Sequence, residues 1–103
     1  MQVLYSDAAE RGYERIRDFF LSQGINRNTV NGFIDAIDDD ILLLASHPNL
    51  GFSVGGKYGF ISEYRALLVW DESYLAVYEI APTAILVRRI YSTKENYIRD
   101  LLS

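Results

Sequence analysis

Chemistry-bearing side chains are most concentrated in "ILVRRIYSTKENY", residues 85–97, where Arg88, Arg89 and Lys94 stand among Tyr91 and Tyr97. A guanidinium offers a planar fork of donors that matches carboxylates and phosphates, and aromatic neighbours extend such a contact. Arg65 adds a further guanidinium in "YRALLV". The single histidine, His47, sits beside Pro48 with no serine or cysteine nucleophile evidently paired to it. These residue types favour recognition over acid–base turnover.

Two other motifs carry less. Residues Gly51 to Lys57 fit G-x-x-x-x-G-K, but Tyr58 stands where Ser or Thr would ligate magnesium. The segment also leaves a helix and enters a strand, which reads as a glycine-rich surface loop from Asn49 to Gly59. Asp38, Asp39 and Asp40 are consecutive helical residues pointing about 100° apart, so they do not converge on one ion. They read as a solvated helix edge. No catalytic residue, metal or cofactor is expected.

The elements that position the arginines follow from periodicity. Gln2 to Tyr5 is short, apolar and β-favouring. Asp7 and Glu10 have capping-box spacing, and Ala9, Tyr13, Ile16 and Phe20 then form one helical face that Gly24 is placed to end. Val30, Phe33, Ile34, Ile37, Ile41 and Leu44 form the stripe of a second helix, stopped at Pro48. The short connection implies an antiparallel helical hairpin over residues 8–46. Three β-favouring runs follow, "ISEYRALLVW", "YLAVYEI" and "AILVRRIY", joined by tight turns into an antiparallel meander. A short amphipathic segment, "ENYIRDLLS", closes the sequence.

Composition bounds the function. The 103 residues suit one domain, with 50% hydrophobic and 23% charged residues. The net charge of −4 lies in residues 1–50, with four Lys/Arg against eight Asp/Glu; the remainder balances. That opposes sliding along nucleic acid, which needs extended basic patches. There is no cysteine, no run long enough for a membrane helix and no secretion signal, so a cytoplasmic location is expected.

The order strand, helical hairpin, glycine-containing loop, meander and short final segment resembles the RelE/ParE superfamily of toxins from type II toxin–antitoxin systems. "YSDAAERGYERIRDFF", "LLASHPNLG", "YRALLV", "YLAVYEI" and "ILVRRIYSTKENY" carry the resemblance. It implies a single RelE/ParE-like α+β domain over 1–103, with the N-terminal helical hairpin packed on a small antiparallel sheet. Arg89 is similar to the arginine of the family's last strand, and Arg65 to the one opening the second strand in the ParE branch. Leu75, Ser92 and Glu95 stand where RelE-type nucleases or ParE-like members carry arginine, histidine or another basic residue. The resemblance therefore implies a non-catalytic inhibitor of DNA gyrase or a related topoisomerase, neutralised by a cognate antitoxin. The alternatives are a ribosome-dependent endoribonuclease of the RelE type, or a degenerate member retained for an operon-regulating complex.

Two surfaces are expected on this basis. Arg65, Arg88, Arg89, Tyr91, Lys94 and Tyr97 would contact the target. Because neighbouring strand residues point to opposite faces, one of Arg88 and Arg89 should lie on the open face and the other at the sheet edge, with Glu63, Glu79 or Asp100 as a carboxylate partner. Leu67, Val69, Leu75 and Val77 would form an exposed apolar groove, opposite Tyr74 and Tyr78, for the antitoxin. No sequence-specific nucleic-acid contact and no membrane contact is expected.

Overall fold

The computed structural model describes residues 1–59 and 62–95. Strand β1 (Gln2–Tyr5) leads into helices α1 (Asp7–Ser22) and α2 (Arg27–Leu42). A 3₁₀ turn, Leu43–Ala45, then precedes the short strand β2 (Phe52–Ser53) and the single-turn helix α3 (Val54–Tyr58). Strands β3 (Arg65–Val69), β4 (Tyr74–Ile80) and β5 (Ala84–Ser92) complete a five-stranded sheet of order β1-β5-β4-β3-β2. The fold is α+β, a helical hairpin on a sheet, as the pattern predicts. The meander is antiparallel, but β1 joins β5 in parallel, so the sheet is mixed and not purely antiparallel.

Local chemistry sets the helix ends. Ser6, and not Asp7, is the N-cap of α1: its hydroxyl accepts from the Ala9 amide at 3.0 Å and donates to the Arg88 carbonyl at 2.6 Å. Asp7 and Glu10 occupy the first turn, where the helix dipole favours negative charge. At the other end Gly24 adopts φ +83°, with Gly24 N–H donating to Leu21 O and Ile25 N–H to Phe20 O. That is a Schellman ending, which favours glycine because a Cβ is strained there. Tyr13 meets α2 at Asp38 and Phe20 meets it at Phe33, so the hairpin is antiparallel.

Both long helices cover one face of the sheet. Val30, Ile37, Ile41 and Leu44 of the α2 stripe are buried, and Ile34 is half-buried. Ile34, Ile37, Ile41 and Leu44 join Ile16, Leu67, Val69, Tyr74, Tyr78, Ile85, Val87 and Ile90 in the main core. Gly12 lets α1 approach β5 closely, since a Cβ there would lie 3.1 Å from Ile90 Cβ and from its carbonyl oxygen. The other face carries a second, smaller core of Val54, Ala66, Leu75, Val77 and Tyr91. Residues 49–59 are therefore structured, with β2 and α3 placing Val54 in that core.

Polar side chains tie these layers together. The buried Tyr78 hydroxyl donates to Pro48 O at 2.7 Å and accepts from the Gly51 amide at 3.1 Å and from Arg65 Nε at 3.4 Å. Gly51 is required at this crossing, because a Cβ would stand 2.4 Å from the Ala66 carbonyl oxygen and 2.9 Å from that hydroxyl. Asp38 Oδ1 accepts from both Tyr5 and Tyr13, and Asp40 Oδ2 accepts from the Trp70 amide at 2.8 Å. The acidic triplet is thus partly an anchoring element and not simply a solvated edge.

Two outcomes follow. Tyr78→Phe keeps the ring and removes the hydroxyl from three partners, leaving buried groups without a bond. A loss of about 1–3 kcal/mol is expected, read as a lower midpoint in thermal unfolding; an unchanged midpoint would show that the hydroxyl is not a structural tie. The second outcome concerns alkaline stability. Burial first, and then the Asp38 carboxylate, push the Tyr5 and Tyr13 phenols well above their ordinary value of 10.0. Folded-state values above the unfolded one mean that this stabilisation is complete below pH 10 and is lost as pH rises beyond it. Denaturant titrations from pH 8 to 12 should show the fall, and Tyr13→Phe should make it shallower.

Candidate functional site

The register of β5 decides where the arginines point. Tyr78 pairs with Val87 and Val77 with Arg89, so Arg88 is an extra residue in a β-bulge. Ile85 and Val87 face the helices before the bulge, and Ile90 does so after it. Alternation restarts at Arg88, which leaves Arg88 and Arg89 both exposed on the face away from the hairpin. The expected division of the two between open face and sheet edge is therefore corrected by the bulge.

Their environments differ. Arg88 donates from Nε and Nη2 to the two Glu79 carboxylate oxygens at 3.2 and 3.3 Å, which raises its already high pKa. The pair is solvent-exposed, with 45% and 23% of its side chains accessible, so it contributes at most about 1 kcal/mol. Arg89 has no ion-pair or hydrogen-bond partner for its guanidinium among the described residues. Its backbone position is set by pairing with Val77, and its side chain is exposed.

The other expected target residues are placed differently. The Arg65 guanidinium binds the Asn49 carbonyl at 3.2 Å, the Gly51 carbonyl and the Tyr78 hydroxyl. It closes the loop after α2 and offers little to a partner. Tyr91 is buried in the second core, not exposed. Lys94 is exposed just beyond β5. Tyr97 lies outside the described residues, as do residues 96–103 of the expected final helical turn.

Leu67, Val69, Leu75 and Val77 do not form the expected exposed groove. Leu67 and Val69 register with Ala76 and Tyr74, which puts them on the helix-covered face, whereas Leu75 and Val77 belong to the second core. All four are buried. The misplacement comes from parity: the hairpin turn sets which residues stand opposite one another, and an error of one residue exchanges the faces.

What opens to solvent is a cleft of about 700 Å³ between the second half of α1 and the adjoining ends of β4 and β5. Ile16, Phe19 and Phe20 form one wall, and Trp70, Tyr74 and Ile90 the other. Phe20 and Trp70 meet edge-on at 5.8 Å, Phe33 packs behind them, and Trp70 stacks on Tyr74 at 5.9 Å. Phe19 is 56% exposed. Trp70, Asp71 and Glu72 have φ of 49°, 56° and 62°, three consecutive non-glycine residues in the left-handed region. Asp40 holds the first of them through its amide. The adjacent pair Phe19-Phe20, only one member of which lies on the core stripe, was the sequence signal for this cleft.

Among the described residues no group of three or more His, Cys, Asp or Glu side chains is placed to hold a metal ion. Deleting Arg88 should restore a regular β4–β5 ladder with Arg89 and Ile90 on their present faces. The variant is expected to unfold cooperatively and to keep its β-sheet circular dichroism; a molten product would show that the bulge is not a single-residue insertion.

Comparison with known proteins places this geometry. Residues 3–97 match a family model described as the ParE toxin of type II toxin–antitoxin system, parDE. A chain from the structure titled "Chromosomal ParDE TA system from P. aeruginosa" superimposes with a TM-score of 0.76 at 16% identity, covering 91% of this chain and 97% of that one. At that identity the likeness speaks to the fold. No curated protein matches the sequence.

Proposed function

The chain belongs to the ParE toxin family of type II toxin–antitoxin systems, and from that premise we propose that it arrests growth by binding DNA gyrase or a related topoisomerase. Membership of the family implies an antitoxin partner, which in this reading neutralises the toxin. The bulge carries the proposal, because it presents two guanidiniums on one open face. A protein of net charge −4 gains from them a local cationic patch suited to one acidic surface and unsuited to tracking along nucleic acid. Arg89 makes the principal contact, with its fork free to bind a carboxylate bidentately. Arg88 is available on exchanging Glu79 for the partner, and Lys94 extends the patch. Arg65 and Tyr91 hold the scaffold beneath. Gyrase and topoisomerases work in the cytoplasm, which is where this activity places the protein; no helix among the described residues is long and apolar enough to cross a membrane.

Induction in a bacterial host tests the reading. It predicts a DNA-damage response without ribosome-dependent messenger cleavage; the reverse result would replace it with the endoribonuclease alternative. Arg89→Ala should lower toxicity about tenfold or more while antitoxin binding persists, since a charged contact at a desolvated interface carries roughly 1.5–3 kcal/mol. Arg89→Lys should be intermediate, because lysine lacks the planar fork. Undiminished toxicity in Arg89→Ala would remove that residue from the contact.

A further inference from the structure

Of the ten Lys and Arg residues in the chain, Arg88 alone forms an ion pair among the described residues, and it does so on the arginine face. The register explains why the pair forms there. Glu79 stands opposite Leu86 and Val77 opposite Arg89, and the bulge inserts Arg88 just before the Val77 rung. Glu79 and Val77 share one face of β4, so Glu79 reaches across to Arg88, while the residue opposite Arg89 is apolar and buried. One guanidinium is therefore met by a carboxylate of its own sheet, and the next is left without an acceptor among the described residues.

The geometry of the pair separates two roles for Glu79. A carboxylate that orients an arginine for a partner holds it tightly, through charge-assisted bonds of about 2.7–2.9 Å. Here both bonds are longer, 3.2 and 3.3 Å, and the Arg88 side chain keeps 45% of its surface in water. Glu79 thus holds Arg88 loosely while offsetting its charge. Its two oxygens occupy the Nε–Nη2 edge, one of the forks that an incoming carboxylate would use. It also sets a like charge against the approach of any acidic partner. Because the pair is exposed and weak, displacing it costs a partner no more than about fivefold in affinity.

We propose that Glu79 is a built-in competitor for the acidic partner of this face, standing on Arg88 where the partner's own carboxylate would bind. The inference deepens the reading of the arginine face as target-binding and rests on it for the identity of the acidic surface. An anion with one loosely placed acidic group gains Arg89 alone. A surface that presents two aligned carboxylates displaces Glu79 and gains both guanidiniums. Glu79 is in this sense a selectivity residue: it acts through Arg88 and raises the alignment that a partner must supply.

Nitrogen-15 NMR of the arginine Nε–H groups, with a hexaglutamate peptide as the acidic probe, tests the competition without the target. In the wild type the peptide should shift the Arg89 signal while Arg88 stays near its paired position. In Glu79→Gln both signals should move, and binding should tighten about fivefold. Arg88→Ala should change little in the wild-type background and should remove the gain in the Glu79→Gln background. That non-additivity marks two groups competing for one site. Glu14→Gln, which removes an exposed charge from α1, should bind as the wild type does. None of these side chains is buried, so the variants should fold, as thermal unfolding would verify. Unchanged or weaker binding in Glu79→Gln would overturn the proposal, and so would an equal gain in Glu14→Gln, since net charge would then account for it. Against purified gyrase, Glu79→Gln should inhibit supercoiling at about fivefold lower concentration than the wild type. Equal potency of the two would also overturn the proposal. A wild-type protein that leaves gyrase and its relatives untouched while the peptide results hold would remove the target reading and leave the competition standing.

Discussion

One extra residue in β5 governs the arrangement of both sheet faces. Ile85 and Val87 reach the helical core on alternate positions, and a regular strand would next send Arg89 there. The bulge at Arg88 resets the phase, so Ile90 takes the place beneath Gly12 and Tyr91 enters the second core. A charged guanidinium in the helical core would cost several kcal/mol, and that cost fixes the register firmly. Opposite the bulge sits Tyr78, whose hydroxyl fastens the segment between α2 and β2. The arginine pair, the second core and the path of the glycine-containing loop all depend on this one crossing.

Much of the architecture was legible in the residues. The stripes on α1 and α2, the glycine that ends α1 and the meander follow from periods of 3.6 and 2 and from turn chemistry. What escaped was non-local. Nothing in Gln2–Tyr5 states that β1 runs parallel to β5, because strand direction in a sheet is a property of topology and not of side-chain alternation. The assignment of Leu67 and Val69 to the wrong face came from the Trp70–Glu72 turn, whose left-handed residues are not glycine or asparagine and gave no warning. Arg88 and Arg89 were read by strict alternation, the rule that a bulge suspends. The cleft was hidden for a further reason: Phe19 and Trp70 are 51 positions apart in a sequence numbered through the intervening hairpin, and only packing joins them.

The two exposed surfaces differ in kind. The arginine face is polar and built on a strand, and suits recognition of a charged partner with fixed geometry. The cleft lies on the side of α1 and is apolar, edged by the rings of Phe19, Phe20 and Trp70.

The central claim is that the bulge builds the target-binding face, and purified components test it most directly. Gyrase supercoiling of relaxed plasmid should be inhibited by the wild-type toxin and left uninhibited by the Arg88→Ala/Arg89→Ala variant at equal concentration, with both proteins showing the same thermal unfolding. Equal inhibition by the folded double variant would contradict the account, as would a wild-type protein that leaves supercoiling by gyrase and its relatives untouched.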